Sequence, residues 1–297
     1  MTGHMNLQDF LSRFFGPLAV PAWNQLASIE QATRRQTYSF MDLESYQEIV
    51  RRRPEEAQAI YWREMMLRIH LAACSAVRRH GEWLRSLVIA VENECLFGAY
   101  ASYRGFLESA ADSLYSLGTI PTGIAPHLPL IINRIKRKPT DTITISKKLE
   151  DKLIHFSHGR KLERGESDDP VHAAKQIREY LDSLKQAGVK DVHALYSDLC
   201  AITHPSGESV AIWYEAEKVE HSVVWRRHTH STRKRLAEFF EHWKIASEGI
   251  INLAFIPAFM SLRILHKFDF LQKIPNLKSF PLDAFPIWRQ IERQISK

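Results

Sequence analysis

Three residues on two predicted helices carry side chains that together can act on a phosphodiester. Arg104 and Glu108 are four residues apart, so their side chains share one face of a helix. His204 lies in the last turn of a second predicted helix, where the helix dipole favours the protonated imidazole. A guanidinium binds phosphate, a carboxylate orients a neighbouring group, and an imidazole gives or takes a proton. These are the parts that metal-independent cleavage of RNA requires.

A structural role for the same residues is the alternative. In that interpretation Arg104 and Glu108 form a core salt bridge that fixes the register of the helices, and a backbone carbonyl satisfies His204. The two interpretations differ in accessibility. A catalytic set converges within about 3–5 Å in an open cleft lined by bases, whereas a structural set is sealed from solvent with every donor paired.

The helix that carries the first two of these residues is predicted to be the buried centre of a helical bundle. Between Cys95 and Leu117 only three of 23 residues are charged, and apolar or small residues cover most of the helix surface. Such a helix is packed on several sides, so its few charges must be paired or functional. A preceding helix is predicted to begin at Pro54 and to end at Gly81, where basic residues and then glycine follow the apolar stripe.

The remaining elements complete a mainly α-helical fold. The helix before His204 is predicted to stop at Pro205 and Gly207. Strand-like segments follow at 210–214 and 222–225, on either side of a polar stretch, which indicates a small β-hairpin. We therefore predict a helical bundle with a long buried central helix and a minor β-hairpin. A single helical domain is expected over 6–297, with an N-terminal arm (6–53), a helical core (54–206), the hairpin (207–230) and C-terminal helices (231–297).

The composition is typical of a folded intracellular protein. Of 297 residues, 45% are hydrophobic and 25% are charged, which excludes disorder as the main state. The three cysteines are far apart and fit reduced thiols, and no secretion signal opens the chain, so we expect a cytoplasmic protein without a metal or other cofactor. The apolar run from Gly249 to Leu262 contains Pro257 and is shorter than the roughly 20 residues that cross a bilayer. It is expected to be a buried, kinked helix and not a membrane span.

Two groups of basic residues are candidates for contact with nucleic acid. The net charge of +6 moderately favours an anionic partner. Trp225 and His228, beside the second group, offer faces on which bases can stack. Each group taken singly also fits an ordinary solvated surface. The predicted nucleic-acid-binding residues are Arg134, Lys136, Arg137, Lys138, Arg226, Arg227 and Arg233.

The order of motifs resembles that of a known group of proteins. An Arg-x-x-x-Glu central helix followed by a Tyr-x-x-Leu…His-Pro helix end is similar to a family of uncharacterised bacterial helical proteins, which in turn resembles the HEPN superfamily (higher-eukaryote and prokaryote nucleotide-binding helical domains). The residues that carry the resemblance are Arg104, Glu108, Tyr196, Leu199, His204 and Pro205. The similarity covers roughly Ile60 to Ser206 and implies a HEPN-like helical core. Members of the superfamily are helical bundles, usually dimeric, and many are metal-independent endoribonucleases of toxin–antitoxin and phage-defence systems.

One feature departs from the HEPN pattern. The superfamily signature places an arginine a few residues before the histidine, but no arginine lies between Ser197 and Thr203. Arg104 would have to supply that guanidinium from the central helix. Two alternatives therefore remain: a relative that is catalytically active, and a relative that only binds its partner.

Two functions follow from these observations. The first is an RNA-directed protein, a metal-independent endoribonuclease of a bacterial toxin or phage-defence system, with His204, Arg104 and Glu108 as its catalytic residues and RNA as its partner. The second is a non-catalytic helical module that binds a partner protein or nucleic acid through a basic face. The resemblance also implies a homodimer, and no membrane partner is expected.

Overall fold

A computed structural model describes residues 7–138, 144–163, 166, 168–228 and 230–296. The described residues form α-helices and one antiparallel two-stranded hairpin, so the predicted mainly α-helical fold class is confirmed. In chain order the elements are α1 (Leu7–Phe15), α2 (Ala19–Thr33), α3 (Leu43–Arg52), α4 (Pro54–Glu92), α5 (Leu96–Leu117), α6 (Ile120–Ile124), α7 (Leu128–Ile135), α8 (Lys147–His158), α9 (Ile177–Gln186), α10 (Val192–Thr203), α11 (Gly207–Ala211), β1 (Tyr214–Val219), β2 (Ser222–Arg227), α12 (Thr232–His242), α13 (Lys244–Leu265) and α14 (Pro286–Ile295).

The described residues group into two compact units, each made of three separate stretches of chain. The described residues of the first unit fall within 1–23, 79–111 and 177–253, and those of the second within 24–78, 112–176 and 254–297. Four of the five boundaries fall within α2, α4, α5 and α13, so these helices contribute residues to both units, and the fifth lies directly before α9. The expectation of a single domain over 6–297 stays a prediction, and its end residues, Asn6 and Lys297, lie outside the described part of the chain.

An aromatic cluster forms the core of the first unit. Phe10 and Phe15 of α1 are buried, with ring centroids 5.2 Å from Phe240 of α12 and 5.6 Å from Tyr103 of α5, respectively. The Tyr103 hydroxyl is hydrogen-bonded to Ser247 of α13. The stretch predicted as an N-terminal arm thus contains three helices, and the first of them supplies buried side chains to this core. This packing fixes the position of α5 in the unit that holds the candidate site.

Helix α4 is longer than its sequence pattern predicts. It begins at Pro54, with two glutamates in its first turn where the helix dipole favours acids. The predicted end at Gly81 is wrong, because the helix continues to Glu92. Gly81 is not among the residues with a positive φ, whereas Glu94 adopts a φ of 52° just after the helix ends. His80 is fully buried and hydrogen-bonded to the Ser109 carbonyl of α5 at 3.2 Å, so this turn is packed core instead of a helix terminus.

The hairpin is confirmed, but its first strand lies further along the chain than predicted. Residues 207–211 form α11 instead of a strand, because Ser206 and Ser209 make a reciprocal capping box that starts a helix. Strands β1 and β2 pair in register from Tyr214 opposite Arg227 to Val219 opposite Ser222. Nearly every residue of the hairpin is exposed. A strand exposed on both faces has no alternation of polar and apolar residues, so its limits were not visible in the sequence.

Helix α13 is the apolar helix that contains Pro257. By length and composition alone it could cross a membrane, and 72% of its apolar window is buried within the fold. Such burial is typical of a core helix. Phe255 and Phe259, within its second half, stack at 5.7 Å in the second unit, where Phe259 also packs against Phe280 at 4.7 Å.

Candidate functional site

The structure brings Arg104, Glu108 and His204 together within the first unit. Arg104 and Glu108 project from α5, and His204 caps the C-terminal end of α10 with an extended backbone. Arg104 Nε donates to Glu108 Oε1 at 2.9 Å, and Arg104 Nη1 lies 2.9 Å from His204 Nε2. Residues 100 positions apart in the chain are therefore in direct hydrogen-bond contact. We call this group, with the two residues described next, the Arg104 cluster.

Two further residues of α10 belong to the Arg104 cluster. Arg104 Nη2 donates to the Tyr196 hydroxyl at 3.3 Å, and Nη1 also lies 3.4 Å from Thr203 Oγ1. The Tyr196 hydroxyl donates to Glu108 Oε1 at 2.9 Å, so that one carboxylate oxygen holds both the guanidinium and the phenol. Tyr196 and Thr203 were not predicted as site residues. They are seven residues apart, which is about two helical turns, so they lie on one face of α10. This spacing is the feature of the sequence from which they could have been predicted.

The hydrogen bond between Arg104 and His204 defines the tautomer of the imidazole. A guanidinium has only N–H donors, so His204 Nε2 must accept in this arrangement. In this arrangement the ring proton lies on Nδ1, which differs from the protonated imidazole that the helix dipole was expected to favour. The lone pair on Nε2 makes His204 a proton acceptor rather than a donor at this atom.

The hydrogen bonds of the cluster keep the Tyr196 phenol protonated and the Arg104 guanidinium charged. Burial raises the pKa of Tyr196, and the hydrogen bond to Glu108 raises it further, so the phenol remains protonated and acts as a donor. Burial opposes the charge on Arg104, but the hydrogen bonds to Glu108 and Tyr196 outweigh it and raise the Arg104 pKa. The guanidinium carbon also lies 5.4 Å from the centre of the Tyr196 ring, within cation–π range.

The Arg104 cluster is open to solvent. The side chains of Arg104 and Glu108 are 26% and 37% exposed, and His204 is at the surface. Two cavities, of about 520 Å³ in the second unit and about 60 Å³ in the first, are lined by other residues. The cluster is thus an accessible surface site between the middle of α5 and the C-terminal half of α10, and it is not sealed in the core.

The first group of basic residues is only partly on the surface. Arg134 is buried, with 5% of its surface exposed, and it lies 3.5 Å from Thr144 Oγ1. Its guanidinium is therefore not available to a phosphate, because it points into the fold. Arg137 is exposed and pairs with Glu56 at 3.3 Å, while Lys136 and Lys138 are exposed. Charge alone does not reveal burial in the sequence, because an amphipathic helix can bury an arginine stem.

The second group of basic residues is divided between the two faces of the hairpin. Arg226 donates to Glu217 at 2.9 Å, and beyond the hairpin Arg233 pairs with Glu94 at 3.3 Å. Directly opposite residues of an antiparallel pair point to the same face. The register therefore places Arg227 on the face opposite to Arg226. We call the Arg227 side the aromatic–basic face, and it consists of Tyr214, Ala216, Lys218, Val223, Trp225 and Arg227.

A second histidine cluster lies in the core of the second unit. His70 Nδ1 is 2.7 Å from the Tyr38 hydroxyl and 3.8 Å from Cys74 Sγ, while His70 Nε2 is 3.2 Å from the Gln272 carbonyl. Burial raises the pKa of the Cys74 thiol to about 12, so it does not form the thiolate that a cysteine nucleophile requires. Within the described ranges no group of three or more His, Cys, Asp or Glu residues is arranged to hold a metal ion.

Comparisons of the chain with protein-family models, with curated proteins and with solved structures returned no match.

Proposed function

We propose that this protein is a metal-independent endoribonuclease in which the Arg104 cluster is the active site. The proposal is supported by one observation above all. The guanidinium of Arg104 is hydrogen-bonded both to the Glu108 carboxylate on its own helix and to the His204 imidazole on a second helix, at a solvent-exposed position. Accessibility was the property that separates a catalytic set from a structural one, because a base must reach the proton that it removes.

The reaction is transesterification at the 2′-hydroxyl. His204 Nε2 takes the proton of the 2′-hydroxyl, and the 2′-oxygen attacks the adjacent phosphorus. The bond from phosphorus to the 5′-oxygen breaks, and the 5′-oxygen takes a proton from the imidazolium. The products are a 2′,3′-cyclic phosphate and a 5′-hydroxyl, so the step consumes no water.

Arg104 changes its partner during this reaction. In the free protein its Nη1 donates a hydrogen bond to His204 Nε2, the atom that must accept the proton. Nη1 must therefore move from the imidazole to a phosphate oxygen before the base can act. Glu108 retains its hold on Nε and limits how far the guanidinium moves. A guanidinium that binds the phosphate stabilises the charge that develops in the transition state. Tyr196 is a positioning residue, since its hydroxyl contacts both Glu108 and Arg104.

The aromatic–basic face supplies a surface for the RNA strand. Tyr214 and Trp225 are 44% and 56% exposed there, and their rings offer stacking platforms for unpaired bases. Lys218 and Arg227 add positive charge to the same face, whereas the acidic residues of β1, Glu215 and Glu217, lie on the other. This combination of exposed rings and cations is what proteins use to bind single-stranded RNA.

The test compares the wild-type protein with His204→Ala on a pool of labelled RNAs in EDTA. His193→Ala is the matched control, because His193 lies on the same helix but bonds to Asp182 instead of the Arg104 cluster. We expect cleavage by the wild type and by His193→Ala, with cyclic-phosphate products, and a loss of about 10²–10⁴-fold in His204→Ala. RNA with 2′-O-methyl groups should not be cleaved.

The second function is a non-catalytic helical module, and one contact favours it. The lone pair of His204 is already occupied by Arg104, as expected if the cluster only joins α5 to α10. In that case no RNA is cleaved by the wild type, and His204→Ala lowers the melting temperature by several degrees. Retention of RNA binding by an inactive wild type would assign the binding role to the aromatic–basic face.

A further inference from the structure

The second unit contains a cavity of about 520 Å³ that the proposed cleavage reaction does not use. Its walls come from α4, α6, α7 and α8, together with residues 144–146 before α8. Four buried apolar side chains, Ile120, Ile124, Ile131 and Leu149, line it. The volume falls within the range of pockets that enclose small organic molecules, and apolar walls of this kind accept a hydrocarbon or aromatic body.

Lysines supply positive charge to the wall of the cavity. Lys148 and Lys152 lie one turn apart on α8 and both line it. No aspartate or glutamate is found among the described lining residues. The neighbouring Lys147, in contrast, is not a lining residue and pairs with Asp151 at 2.8 Å. The cavity therefore combines apolar walls with cations that have no countercharge on its surface.

Lys152 is the cation closest to the interior. Its ammonium donates to the Tyr115 carbonyl at 2.9 Å, which uses one of its three donors. Burial lowers the pKa of Lys152, and the nearby positive charge of Lys148 lowers it further. An anion bound beside both lysines would offset the repulsion between them and favour the charged form of Lys152.

Two other polar groups of the wall are already engaged by the protein. The indole N–H of Trp62 donates to the Thr144 carbonyl at 3.1 Å, and the Thr122 hydroxyl donates to the Thr119 carbonyl at 3.0 Å. The wall also includes His127, and the two lysines are the only lysine or arginine side chains among the described lining residues.

We propose that this cavity binds a small monocarboxylate with an apolar body. The hydrocarbon or aromatic part packs against the isoleucine and leucine side chains, and the carboxylate accepts hydrogen bonds from Lys148 and Lys152. A neutral molecule of the same shape leaves the two ammonium groups without an anion, and a cation adds to their repulsion. The site is independent of the Arg104 cluster, so it stands or falls without the proposed ribonuclease activity.

Isothermal titration calorimetry of the full chain with octanoate tests the proposal. Octanoate should bind with one site per chain, and 1-octanol at least about tenfold more weakly, because a charge-assisted hydrogen bond is lost. Lys152→Met and Lys148→Met keep the apolar stem and remove the charge, and each should weaken octanoate binding by about ten- to a hundredfold. Lys152→Arg, which keeps the charge, should retain binding.

Lys147→Met is the matched control, since it removes a lysine of the same helix that does not line the cavity. Its affinity for octanoate should equal that of the wild type. The proposal is overturned if octanoate does not bind, if octanol binds as tightly, or if all three lysine-to-methionine variants bind octanoate like the wild type. Melting temperatures of the variants, measured in parallel, identify any loss of octanoate binding that comes from unfolding. Lys152→Arg then tests whether the positive charge is what binds the carboxylate.

Discussion

The hydrogen bond from Tyr196 to Glu108 is the contact through which α10 holds the carboxylate of α5, and its strength can be measured. Tyr196→Phe removes the hydroxyl and keeps the ring over Arg104. Glu108→Ala removes the acceptor. A double-mutant cycle of these two substitutions isolates the energy of the pair from the other contacts of each residue.

The magnitude follows from the geometry. A hydrogen bond to a charged group contributes about 1.5–3 kcal/mol when it is buried. The carboxylate here is 37% exposed, so solvent screens it and the expected coupling falls to about 1 kcal/mol. The Tyr196 hydroxyl also receives the longer bond from Arg104 Nη2 at 3.3 Å, which survives in Glu108→Ala and therefore cancels from the cycle.

Equilibrium urea unfolding of the four proteins, followed by circular dichroism, gives the coupling. A control cycle pairs Tyr196→Phe with Asp182→Ala, because Asp182 bonds to His193 and to no residue of the Arg104 cluster. The control should be additive within about 0.3–0.5 kcal/mol. If the Tyr196–Glu108 cycle is also additive within that limit, the hydroxyl does not hold the carboxylate in solution, and the positioning role given to Tyr196 is refuted.

Two further predictions concern pH and RNA binding. Burial, with the charge of Arg79, lowers the folded-state pKa of His80 to about 3 from an ordinary value of 6.5. Between these two pH values the unfolded chain binds a proton that the folded chain does not. The stability of the fold therefore falls as the pH drops below 6.5. Between pH 7 and pH 5 the free energy of unfolding should fall by about 2 kcal/mol more in the wild type than in His80→Gln. Equal losses in the two proteins would contradict the burial argument. On the hairpin, Trp225→Ala should weaken single-stranded RNA binding by about ten- to a hundredfold in a fluorescence anisotropy titration. Arg227→Ala should reduce the salt dependence of RNA affinity by about one released ion. Arg226→Ala, on the opposite face, should change the affinity and its salt dependence little. Equal losses for the two arginines would refute the assignment of faces.

The sequence was sufficient to predict the features that depend on local periodicity. The apolar surface of α5 and the stop at Pro205 after α10 are patterns within one or two helical turns, and both helices end close to where those patterns end. The contact between Arg104 and His204 was a hypothesis about distance, since no local pattern fixes how two helices pack. The structure provides that distance, at 2.9 Å.

The features that the sequence did not predict depend on tertiary packing. The basic residues before Gly81 have the pattern of a helix end, but burial of His80 against α5 keeps this turn helical. Arg134 has the sequence context of a surface cation, yet its helix turns it inward. Both errors arise because the packing of a whole helix decides which of its residues are buried, and a glycine inside a helix costs only about 1 kcal/mol, which the apolar residues of the same helix outweigh.

The position of the Arg104 cluster relative to the core bears on whether it is pre-organised for catalysis. Phe106 and Leu107 of α5 and Leu195 and Leu199 of α10 are fully buried, and the cluster residues stand beside them on the same helical turns. The Arg104–Glu108 pair lies within α5 and contributes about 0.3–0.5 kcal/mol. The bond from Tyr196 to Glu108 joins the two helices and contributes about 1 kcal/mol, which is less than the roughly 1.5–3 kcal/mol from burying a single leucine or phenylalanine. The core fixes the helices, and the helices fix the site. Substitutions of the cluster should therefore affect activity far more than stability, which is the behaviour expected of an active site built on rigid elements.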